Sequence, residues 1–149
     1  MKRAGFTMIE LIFVIVILGI LAAVAIPKLS ATRTDANVAK GATDISTLVA
    51  DLGSFYTSQG TFSGKSTSDI TNVQIRTATT SLADGGTIDY SVDGNTSGCI
   101  TITINTVADG NVTVAATSGG DTGVVCTAVK VKAANLMKTF KFGGTGVAY

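Results

Sequence analysis

Residues 6–26 read FTMIELIFVIVILGILAAVAI, and within them Leu11 to Ile26 is a run of sixteen residues without a polar side chain. Only Thr7 and Glu10 interrupt the apolar character of the whole stretch. Wound as a helix at about 1.5 Å per residue it would be roughly 31 Å long, enough to cross the hydrocarbon of a bilayer. Lys2 and Arg3 precede it with no acid beside them. By the positive-inside rule residue 1 lies in the cytoplasm and everything after Lys28 lies outside, so a single pass of a membrane is expected. A secretory signal peptide opens in the same way. Lys2 and Arg3 would be its basic region, Leu11 to Ala22 its apolar core and Ala23-Val24-Ala25 its cleavage site, freeing a soluble protein that begins at Ile26. Glu10 argues against this, because a carboxylate deep in such a run costs about 2.5 kcal/mol or more and a simple export signal has no use for one.

The composition narrows the chemistry. Of 149 residues, 11 are Lys or Arg and 10 Asp or Glu, which gives a net charge of +1 and no strong overall attraction to nucleic acid. Histidine is absent, Glu10 is the sole glutamate and charged residues make up 14%. Histidine acid–base chemistry, histidine metal ligation and the ordinary Ser-His-Asp triad are therefore excluded, and no carboxylate pair with an acid–base role stands out. An enzyme is not expected.

The stretch MKRAGFTMIELIFVIVILGILAAVAIPKL, residues 1–29, resembles the leader and first helix of type IV pilins and of the pseudopilins of type II secretion. The resemblance covers residues 1 to about 30 and implies a mechanism. A prepilin peptidase would cut between Gly5 and Phe6 and methylate the new amine of Phe6. Glu10 would neutralise the N-terminal amine of a neighbouring subunit during assembly on an inner-membrane platform. Gly19 and Pro27 would be points where the helix opens as subunits pack. The spacing is compatible with charge pairing, since Glu10 lies about one helical turn from Phe6. Spacing alone equally allows Glu10 to fold back on its own amine. The partners so implied are copies of the chain itself and other pilins, forming an extracellular or periplasmic filament. Pilus and secretion pseudopilus share this first helix, and a secreted or tethered module binding DNA or glycan is the alternative of a different class.

Past Lys28 the helical period persists. Ile45, Leu48, Val49, Leu52, Phe55 and Tyr56 form one apolar stripe, with Arg33, Asp35, Lys40, Asp44 and Asp51 opposite and a stop at Ser58-Gln59-Gly60. One helix from about Phe6 to Ser58 is expected, thin at Ala36, Ala39, Gly41 and Ala42. Residues 60–85 are Gly/Ser/Thr-rich and read as a loop with one short helical or extended piece. From Gly86 the period becomes two, predicting strands over 87–92, 99–105, 112–117 and 124–133 with turns between them. Ile88, Tyr90, Val92, Ile100, Ile102, Ile104, Val112, Val114, Val125, Val129 and Val131 share the inward parity, to be covered by the 45–56 stripe. The fold class is α+β: a long N-terminal helix packed on a roughly four-stranded antiparallel sheet. The domains run 1–5 leader, 6–27 assembly helix, 28–59 amphipathic half and 60–149 head. The tail from Asn135, with Phe140 and Phe142 and ending in Gly143-Gly144-Thr145-Gly146, is left open, an edge strand being the weak expectation.

Cys99 and Cys126 are the only cysteines and both are exported, which predicts a disulfide. A plain meander would hold their strands about 9.6 Å apart, beyond the reach of about 7 Å between α-carbons. Either the strands are neighbours or the cysteines sit where the sheet ends. Asp84, Asp93 and Asp109 precede glycines and read as turn formers. The major pseudopilins' C-terminal calcium site makes Asp109 and Asp121 weak calcium candidates. No cofactor is otherwise expected. Lys130, Lys132, Lys138 and Lys141 follow the last acid, Asp121, and read as a solvated basic face. Phosphate contact with DNA, or with a host or surface ligand, is the alternative.

Overall fold

Three of the four period-two segments pair, together with a short strand from the tail, into one antiparallel sheet that lies within the second of two compact units, Met1–Ala36 and Asn37–Tyr149. A computed structural model of the chain describes residues 5–77, 79–92 and 96–144. The elements are α1 (Met8–Gln59), α2 (Thr67–Ile70), β1 (Thr87–Tyr90), β2 (Ile100–Thr106), β3 (Asn111–Ala116), α3 (Val124–Lys132), a 3₁₀ turn at Ala134–Leu136, and β4 (Thr139–Lys141). The layout is α+β, a long N-terminal helix with a four-stranded antiparallel sheet of order β1-β2-β3-β4.

Three strands fall where alternation placed them. Their inward residues Ile88, Tyr90, Ile100, Ile102, Ile104, Val112 and Val114 are all buried, as is Val92 beyond the end of β1. The opposite parity places Thr87, Thr103, Thr113 and Thr139 in one register row across all four strands. Thr113 and Thr139 share a hydroxyl hydrogen bond of 2.9 Å within it. Such cross-strand threonine pairs support the sheet from its wet side. On the packed side Ile45, Leu48, Val49, Leu52 and Tyr56 of α1 are buried, and Phe55 packs at their margin. Two acids expected opposite the stripe are not free. Asp44 Oδ2 accepts from the Tyr90 hydroxyl at 2.7 Å, and Asp51 Oδ2 from the Thr71 hydroxyl at 2.6 Å.

The expected fourth strand, 124–133, is instead helix α3, and the fourth strand comes from the tail as β4. Within α3 the buried residues are Cys126 and Val129, three apart, with buried Ala133 next along the same face; Val131 is 72% exposed. That period is helical. The valine alternation reported β-propensity, which packing overrides. Val129 reaches Gly41 of α1, where an added Cβ would lie 2.7 Å from its Cγ2. The thin middle of α1 is thus filled here by α3. Gly53 plays the same part for the ring of Phe142.

Residues 60–85 hold α2, the one short helical piece expected. Asp69 accepts from both the backbone N–H and the hydroxyl of Ser66, each at 2.9 Å. The backbone bond first, and the hydroxyl second, hold the Asp69 carboxyl below the usual carboxylate range. A depressed carboxyl contributes stability that is present above its unfolded-state value and is lost as pH falls through the lower folded value. An NMR titration is therefore expected to show the Asp69 midpoint below that of a free aspartate. The α2 amides should lose exchange protection as pH falls through that midpoint, and Asp69→Asn should remove this pH response.

The turn assignments hold where they can be seen. Asp84 Oδ1 accepts from the Val107 N–H at 2.7 Å, and Gly85 and Gly110 adopt positive φ of 76° and 62°. Asp93 lies outside the described residues, as do Thr145 and Gly146 of the tail. At Gly110 an added Cβ would also lie 2.6 Å from the Tyr56 ring. Gly110→Ala is expected to destabilise the head by about 3 kcal/mol through left-handed strain plus overpacking, read as a shift of the urea midpoint.

Candidate functional site

The apolar run of α1 has no cover within its own unit. Among the described residues sixteen large apolar side chains from Phe6 to Leu29 are exposed, Phe6 by 83% and Leu29 by 68%. Outside this run only Val124 and Val131 are comparable. A patch of this extent exceeds what water-exposed surfaces carry. By length and composition it is one helix able to cross a membrane.

The helix starts where the sequence makes it start. Thr7 precedes Met8, the first helical residue, and Glu10 is the third, which is the T-x-x-E spacing of a capping box. Glu10 Oε2 accepts from the Thr7 backbone N–H at 2.8 Å and from the Thr7 hydroxyl at 2.6 Å; the Leu11 N–H donates to the Thr7 carbonyl at 3.2 Å. Gly5, Phe6 and Thr7 precede the helix and are exposed, so the Gly5–Phe6 bond is in non-helical chain. Residues 1–4 of the expected leader lie outside the described residues. The cap on Thr7 was not anticipated, although its signature, a threonine three residues before the acid that opens an apolar run, is present in the sequence.

Of the other assembly residues, α1 continues through Pro27, which has no N–H to give to the Ala23 carbonyl. Nothing lies within 4 Å of a Cβ built on Gly19, or on Gly5. No contact among the described residues therefore demands a glycine at either position.

Cys99 and Cys126 form a disulfide with 5.7 Å between α-carbons, and both are fully buried. The conflict of strand spacing disappears because Cys126 is on α3 and Cys99 lies just before β2, at the end of the sheet. Asp109 and Asp121 do not converge. They flank β3, Asn111–Ala116, at its two ends, so the six strand residues hold them about 20 Å apart and one calcium ion cannot bridge them. Asp121 Oδ1 instead accepts from the Gly123 N–H at 2.8 Å ahead of α3. Among the described residues no group of three or more His, Cys, Asp or Glu is placed to hold a metal. The four lysines divide between two elements. Lys130 and Lys132 are on α3, where Lys130 Nζ donates to the Asp121 carbonyl at 3.0 Å. Lys138 immediately precedes β4 and Lys141 ends it, with Lys138 Nζ 5.2 Å from the Phe140 ring centroid.

A helix of membrane length, uncovered within its unit and opened by a capped acid, thus follows an exposed Gly5–Phe6 bond. Residues 1–26 match the prokaryotic N-terminal methylation motif, the signature of type IV pilins and pseudopilins. No curated protein and no solved structure matches the chain.

Proposed function

We propose that the chain is a structural subunit of a type IV pilus or pilus-like filament. Prepilin peptidase would cleave it between Gly5 and Phe6 and methylate Phe6. It would wait in the inner membrane with residue 1 cytoplasmic, and then be packed by α1 into a helical polymer with copies of itself and other pilins. The observation that carries this reading is the methylation motif over residues 1–26 on a helix whose apolar side chains from Met8 to Leu29 are exposed. Such a surface is satisfied first by lipid and then by like helices, where close packing takes the place of the hydrophobic effect. The role is structural, without catalysis.

The test is mass spectrometry of the mature N-terminus. A chain beginning at N-methylated Phe6 is expected. An unmodified chain beginning at Ile26 would falsify the proposal in favour of a soluble secreted module.

A further inference from the structure

Along one flank of α1, Lys40, Asp44, Thr47 and Asp51 face the segment 72–74 across an open groove of about 470 Å³. The two carboxylates are held in place by neutral donors, Tyr90 for Asp44 and Thr71 for Asp51. Neither meets a cation, for the ion pair among the described residues is Arg76–Asp89. Lys40 leaves the groove with one net negative charge. Asp44 bonds to Tyr90 of β1, so the groove runs beside the β1 side of the sheet.

The opposite edge of the sheet has the opposite charge. β4 is the terminal strand of the order and only three residues long, and among the described residues one of its edges has no strand partner. Lys138 and Lys141 bracket that edge, both exposed, and the chain has no acid after Asp121 to neutralise them. The two lysines are not equivalent: Lys141 ends β4 on the exposed parity of Thr139, whereas Lys138, the residue before β4, lies against the Phe140 ring.

We propose that the groove beside Asp44 and Asp51 receives the β4 edge of a second copy of this chain, with Lys141 as the cation that meets the carboxylates. This deepens the filament reading and rests on it. Different patches of each copy meet, so the contact is heterologous. A heterologous contact repeated around a screw axis gives an open helical polymer and not a closed dimer. The uneven charge of the two edges sets which edge meets which, because the reversed pairings bring like charges together.

The test uses assembled filaments of the full chain, grown from a mixture of ¹⁴N- and ¹⁵N-labelled subunits and treated with a water-soluble carbodiimide, which joins a carboxylate to an amine only in direct contact. Mixed-isotope peptides linking Asp44 or Asp51 to Lys141 are expected. Filaments whose lysines couple between subunits only to other acids would overturn the contact while leaving the filament reading intact; a chain that forms no filaments would overturn both. In a second arm, Asp51→Lys and Lys141→Asp are each expected to lower filament yield about tenfold, and the double variant to recover most of it. An intact Cys99–Cys126 bond on non-reducing gels controls for folding. Equal yields in all three variants would reject the proposal.

Discussion

Glu10→Ala is expected to leave the head folded and to abolish incorporation into filaments. Residue 10 belongs to the unit Met1–Ala36, while the buried core belongs to Asn37–Tyr149, so the substitution removes nothing from that core. It does leave the Thr7 N–H without its acceptor and, after cleavage, the Phe6 ammonium without a counter-charge. A charge stranded in a low-dielectric setting costs several kcal/mol, which in an assembly equilibrium is on the order of a hundredfold or more. Glu10→Gln separates the two contributions, because its carbonyl can still accept from Thr7 while the charge is gone. Sheared filament recovered against membrane-held subunit is the measurement. A Gln variant that assembles like the native chain would assign Glu10 to capping and remove it from charge pairing.

Cys99→Ala with Cys126→Ala is expected to destabilise the head by about 3.5 kcal/mol. The bond spans 27 residues, and closing a loop of that length in the unfolded chain accounts for that figure in the chain-entropy account. Both sulfurs are fully buried, so the small cavities left behind add to the loss. For a head of this size the melting temperature should fall by about 15 °C or more, measurable by thermal circular dichroism in detergent. A fall of only a few degrees would place the head's stability elsewhere, in the sheet and its α1 cover.

What could be read in advance depended on whether local pattern and tertiary need agreed. The apolar run, the 45–56 stripe and the strands around Ile88, Ile102 and Val112 were legible because each pattern is also the pattern of burial. Residues 124–133 were not. The alternation of Val125, Thr127, Val129 and Val131 imitates a strand, yet the bond from Cys126 to Cys99 and the notch at Gly41 select the helical face of Cys126, Val129 and Ala133. With α3 taking that segment, the sheet finds its fourth strand in Thr139–Lys141. Asp109 and Asp121 are kept apart by β3, which runs between them. Tyr90 and Thr71 as anchors for Asp44 and Asp51 were invisible because those contacts join residues 46 and 20 positions apart.

The position of the disulfide also sets how the head answers to pulling. Cys99 and Cys126 bracket all of β2 and β3 inside one covalent loop. Tension entering through α1 and leaving through the far end of the chain bypasses that loop across the sulfurs. Even if the sheet were torn apart, the chain between the cysteines, roughly 90 Å when extended, could not pay out. In a fibre of such subunits each head would extend under load by that much less than a head whose cysteines are reduced.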